Sequence, residues 1–145
     1  MKTSFPHVIA VTGHYGSGKT NFSVNLAMAA AKDGIPVTVV DLDIVNPYFR
    51  TADFSALLCE HGIRVITPEY ANTNLDIPVL PASVDAAISQ NGGLVLLDVG
   101  GDDAGAIALG RYAQPPQYRI QRRVGNIHNA LGMLSQNVSI HVAVS

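Results

Sequence analysis

The chain has 145 residues and a formal net charge of −2, with 48% hydrophobic and only 14% charged residues, a length that suits one domain able to bury its own core without staples. Its single cysteine, Cys59, excludes a disulfide framework and a cysteine-based zinc site, and so apolar a composition excludes intrinsic disorder. With no apolar run near the ~18 residues of a membrane span, too short an apolar stretch after Lys2 for a signal peptide and no charge bias toward nucleic acid or anionic membrane, residues 1–145 are expected to form a single cytoplasmic domain.

Val8–Thr12 is a short apolar run that ends in glycines, as a buried strand would. Residues 13–20 follow as Gly13-His14-Tyr15-Gly16-Ser17-Gly18-Lys19-Thr20, a full match to G-x-x-x-x-G-K-[ST], the Walker A pattern. Its spacing serves phosphate: glycines let successive backbone N–H groups converge on phosphate oxygens, and the next helix adds the positive end of its dipole. Lys19 would reach the β- and γ-phosphates, and the Thr20 hydroxyl would coordinate Mg²⁺. Asn21–Lys32 has helical spacing, with Phe22, Leu26 and Ala29/Ala30 on one face and Gly34 as the stop.

Val37–Asp41 is a second strand, closed by Asp41-Leu-Asp43. Alternation puts both carboxylates on one face if the strand continues. They could orient an attacking or metal-bound water, or form a solvated strand end. Ser55–His61 is a short helix before Gly62, Arg64–Thr67 a third strand, and 68–81 a long loop that carries either substrate or partner contacts or simply a connection. Cys59 reads as a small buried residue of the short helix. Ala82–Gln90 is a helix, and Leu94–Asp98 a fourth strand whose terminal aspartate opens Asp98-x-x-Gly101. An aspartate there can hold a metal's water shell while the Gly101 N–H touches the γ-phosphate; otherwise Asp98 caps the next helix. Asp102 and Asp103 suit the capping role better, ahead of a helix at Ala104–Ala113. Apolar strands alternating with helices predict an α/β fold with a mainly parallel sheet covered on both faces.

Together Gly13–Thr20, Asp41-Leu-Asp43 and Asp98-x-x-Gly101 resemble the MinD/ParA and CobQ/CobB branch of the SIMIBI-class P-loop NTPases, over residues 6–113. The resemblance implies a three-layer α/β/α fold, ATP and Mg²⁺ as cofactors, and dimerisation around ATP. By the same resemblance Asp43 helps arrange the catalytic water and Asp98 with Gly101 senses the γ-phosphate. Lys19, Asp43 and Asp98 are thus the expected catalytic residues, and Thr20, Asp43 and Asp98 the metal-facing ones. MinD/ParA proteins carry a lysine after the first loop glycine that reaches into the partner's site; this chain has His14 there. Histidine is shorter and mostly neutral at pH 7, so Arg50 is an alternative cation. The resemblance leaves three activities open: an ATPase switch with a protein partner, a CobB-related kinase or ligase phosphorylating a small carboxylate, or a nucleotide-binding module without turnover.

All eleven acidic residues lie at or before Asp103, whereas residues 111–145 carry four arginines and no acid. In this tail Ile120, Val124, Ile127, Leu131 and Leu134 step at helical spacing, and Val138–Val144 alternates like a strand. The tail is expected to be one more helix and strand of the sheet, a basic amphipathic helix for anionic lipid, or a truncated or frame-disrupted end. His7, His61, His128 and His141 show no ligand spacing.

Overall fold

A computed structural model describes residues 7–14, 16–43, 51–67, 82–90, 92–100, 119–122 and 138–144. In chain order these form β1 (Val8–Gly13), α1 (Lys19–Lys32), β2 (Val37–Leu42), a 3-10 turn (Thr51–Phe54) running into α2 (Ser55–Glu60), β3 (Arg64–Ile66), α3 (Ala82–Ser89), β4 (Leu94–Gly100), β5 (Arg119–Arg122) and β6 (Val138–Val144). The helix expected at Ala104–Ala113 lies outside the described residues, as does the loop at 68–81.

The strands join one sheet in the order β3-β2-β4-β1-β6-β5. The block β3-β2-β4-β1 is parallel throughout, as the uninterrupted apolar strands predict. β6 pairs antiparallel with β1, and β5 antiparallel with β6. The strand expected at Val138–Val144 is therefore present in the same sheet. The helical stripe from Ile120 to Leu134 does not begin where its spacing puts it: Ile120 lies in β5, opposite Ala143. The ladder to β6 satisfies the backbone of Arg119–Arg122 across the sheet, and this outweighs a spacing that set only one apolar residue in that stretch. The rest of the stripe, 123–137, is outside the described residues.

Strand alternation divides the core into two layers. Val8, Ala10, Val40, Leu42, Val95, Leu97 and Val99 pack with α3 through Val84, Ala87 and Ile88. Ile9, Val11, Val37, Val39, Leu94 and Leu96 pack with Phe22, Ala27 and Ala30 of α1 and Leu58 of α2. Cys59, expected to be buried, is exposed, because α2 turns Leu58 and not its neighbour toward the sheet. The sheet is covered on both faces by helices, a three-layer α/β/α arrangement. Asp41 continues the parity of Val37 and Val39, and Asp98 that of Leu94 and Leu96, so both carboxylates belong to the α1 face.

At the opposite edge the backbone is drawn tight. The Leu94 N–H donates to the Pro36 carbonyl at 2.8 Å, and a Cβ on Gly93 would lie 2.7 Å from that same oxygen. His7, half-buried before β1, spans two other carbonyls there, with Nδ1 2.7 Å from Gly93 O and Nε2 2.8 Å from Ile88 O. The ring thereby ties the end of α3 to the start of β4. Among the described residues no helix is long and apolar enough to cross a membrane.

Candidate functional site

The register of the parallel block gathers the motif residues at one sheet edge. Gly13 sits opposite Gly100, and Asp98 lies between Val11 on one side and Asp41 on the other. The C-terminal ends of β1, β2 and β4 therefore lie side by side. Ligands of open α/β sheets bind at such strand C-termini.

The first loop turns on Gly16 (φ +73°) and Gly18 (φ +87°), backbone conformations that side chains disfavour. Gly18 is the N-cap of α1, supplies no side-chain cap, and is followed by a first turn without an acidic residue. Helix N–H groups at such an end seek an acceptor, and the dipole favours an anion. The loop closes on itself where the Ser17 N–H donates to the His14 carbonyl at 3.1 Å. His14 is exposed, whereas Ser17, Lys19 and Thr20 are buried. α1 thus begins at Lys19, two residues before the periodicity marks it, because apolar spacing is blind to a turn made of glycine, lysine and threonine.

The acidic groups converge on this loop. Lys19 Nζ lies 2.6 Å from Asp43 Oδ2, and both side chains are nearly inaccessible, at 4% and 3% exposure. Asp41 holds the bend that aims Asp43, its Oδ1 accepting the Asp43 N–H at 3.1 Å. Asp41 and Asp43 are both buried, so the pair is not a solvated strand end. β2 ends at Leu42, and it is this turn, more than continued strand alternation, that positions the second carboxylate.

Asp98 does not close its strand; β4 runs on to Gly100, matching the length of β1. Its Oδ2 accepts hydroxyls from Thr20 at 2.8 Å and from Thr51 at 2.7 Å. Its Oδ1 is buried and has no hydrogen-bond partner among the described residues. Burial pushes the Asp98 carboxyl from an ordinary 3.8 up to about 6; the Thr51 and Thr20 hydroxyls oppose that rise, Asp41's charge adds to it, and Lys19 lowers it.

Of the residues expected in the site, Gly13, Gly16, Ser17, Gly18, Lys19, Thr20, Asp43 and Asp98 share this edge with His14 at its rim. Tyr15, Arg50, Gly101, Asp102 and Asp103 lie outside the described residues. Sequence reasoning missed Thr51. Its only signal is a small hydroxyl residue in the connection that follows the aspartate pair, where a helix cap reads the same.

The residues fit Mg²⁺. A hard cation takes oxygen donors, and here the Thr20 hydroxyl contacts one oxygen of the Asp98 carboxylate, whose other oxygen is buried with no hydrogen-bond partner among the described residues. No three His, Cys, Asp or Glu side chains among the described residues are grouped to hold a metal by themselves.

The family model of the CobQ/CobB/MinD/ParA nucleotide binding domain matches residues 8–134, extending past residue 113 into the arginine-bearing tail. No curated protein and no solved structure matches the chain.

Proposed function

This chain belongs to the CobQ/CobB/MinD/ParA nucleotide-binding domain family, and on that footing we propose that it is a cytoplasmic, single-domain, Mg²⁺-dependent ATP-binding protein that works as an ATPase switch. The observation that carries the reading is the meeting of Lys19 and Thr20, at the mouth of α1, with Asp43, just past the end of β2, and Asp98 of the neighbouring β4. The backbone N–H groups of Gly16–Thr20 would cradle the phosphates, with Lys19 neutralising charge on the β- and γ-oxygens. Thr20 and Asp98, with Asp43 nearby, would hold Mg²⁺, whose contribution is to neutralise charge on the transferring phosphoryl group. Since no protein-only cage is present among the described residues, the metal would arrive with the nucleotide.

Lys19 cannot serve Asp43 and phosphate equally. As its ammonium turns to the phosphates, the Asp43 carboxylate is released to orient the attacking water. Nucleotide would order the connections after β2 and β4, and hydrolysis would release them. The reading includes an ATP-dependent homodimer with His14 or Arg50 at the contact, and a protein partner that responds to the switch.

The test is a titration of Mg-ATP against the wild type and Lys19→Ala, with phosphate release followed in parallel. Lys19→Ala should lose most triphosphate affinity and remain folded, at a stability cost of about 3 kcal/mol because it leaves Asp43 buried without its ammonium. Equal affinities would sink the assignment. The family match supports a second reading, a CobB-related enzyme phosphorylating a small carboxylate. Phosphate release stimulated by a small carboxylate instead of a protein selects it, and binding without turnover selects a plain nucleotide-binding module.

A further inference from the structure

We propose that Thr51 is a positioning residue of this site, acting through Asp98; the inference rests on the nucleotide-binding reading above. Thr51 is fully buried and opens the 3-10 turn that leads into α2. Its hydroxyl donates to Asp98 Oδ2 at 2.7 Å, the same oxygen that takes the Thr20 hydroxyl at 2.8 Å. A carboxylate on a strand can rotate about its side-chain bonds, and two donors on one oxygen hold it with Oδ1 directed away from both. Oδ1 is the buried oxygen that has no hydrogen-bond partner among the described residues.

The two donors differ in what else they serve. Thr20 stands at the start of α1, where its motif gives its hydroxyl to the metal. Thr51 comes from the connection after β2, 47 residues away from Asp98 in sequence, and has no place in the phosphate motif. When Thr20 is engaged by the metal, Thr51 keeps the carboxylate oriented. The same hydroxyl ties the seat of α2, whose Leu58 fills the α1 layer, to the state of the metal-facing carboxylate. A threonine that merely satisfies its own buried hydroxyl would show neither effect.

The experiment compares ATP affinity with saturating Mg²⁺ and with chelator, taking their ratio as the gain conferred by the metal. Thr51→Val, which removes the hydroxyl and keeps the shape, should cut that gain about tenfold, the low end of what contacts to a metal-facing group contribute. Thr51→Ser should restore it. In an Asp98→Asn background Thr51→Val should change nothing further, because the two act as one unit. An unchanged gain in Thr51→Val, or a fully additive loss in the double variant, overturns the proposal. If Thr51→Val fails to fold, amide exchange of the wild type decides: Mg-ATP, but not ATP with chelator, should slow exchange across residues 51–60, and an identical response to both overturns it. Absence of ATP binding by the wild type would instead defeat the nucleotide reading itself.

Discussion

Two buried carboxylates of the site have different surroundings. Asp98 is held up to about 6 chiefly by burial. Between pH ~4 and ~6 the folded chain therefore keeps a proton that the unfolded chain has released, and the stability this group contributes is lost as pH rises through about 6. Asp98→Asn removes the charge, keeps an oxygen for the two threonines, and should melt higher than wild type at pH 7. The difference should be on the order of 10 °C, shrinking toward zero near pH 4. Thermal unfolding of both proteins across that range checks this, and parallel curves would contradict it. Asp43 is instead matched to Lys19 at 2.6 Å in a nearly inaccessible pair. Asp43→Asn leaves a buried ammonium without its carboxylate, which should cost about 3 kcal/mol, the lower end for breaking one half of such a pair. Triphosphate then supplies the missing negative charge, so added nucleotide should raise the melting temperature more in Asp43→Asn than in wild type, while turnover slows. A smaller ligand-induced rise in the variant would show that Lys19 does not exchange Asp43 for phosphate. The aspartates were legible in the sequence because each interrupts an apolar run at a motif spacing, although Asp98 lies two residues inside its strand and Asp43 one residue past the end of its own. Thr51 was not, since a contact made 47 residues away leaves no local pattern.

At the scale of elements, the strands were the legible part. VIAVT, VTVVD and LVLLD are short, continuously apolar runs, the first two rich in β-branched residues, as strands buried on both faces are. Their ends were less so: β4 gains Val99 and Gly100 because its neighbour β1 reaches Gly13, a fact about pairing that one segment does not carry. His7 is a similar case, with acceptors at Ile88 and Gly93 that only the folded sheet brings to it. Gly93 has its own reason to lack a side chain, the Pro36 carbonyl lying 2.7 Å from where a Cβ would sit. Backbone is the obstacle there, so Gly93→Ala should destabilise by about 1–3 kcal/mol, as overpacking commonly does. Urea unfolding measures this, and a loss under 0.5 kcal/mol, within the range of neutral surface changes, would mean the β2–β4 edge yields easily.

For the whole molecule, fold class followed from the alternation of strands and helices, whereas the direction of β6 and the strand at Arg119–Arg122 did not. That the tail pairs with β1 follows from the sheet edge β1 presents, which no residue of the tail announces by itself. The order β3-β2-β4-β1 has a further consequence, one in time. β1 and β2 never pair with each other; β4, made last of the four, lies between them. A growing chain must therefore hold its phosphate loop and its first aspartate pair unjoined until residue 100 has left the ribosome, and pairings this far apart in sequence form slowly. Chains stopped at residue 90 should carry the whole Gly13–Thr20 motif yet show neither ATP binding nor protected β1 amides, and chains stopped at 145 should show both. ATP binding by the shorter chain would mean that the loop is competent before its strand is anchored. Otherwise the sheet order works as a birth control on the site: a nascent chain cannot trap nucleotide until the strand that carries Asp98 has closed the gap.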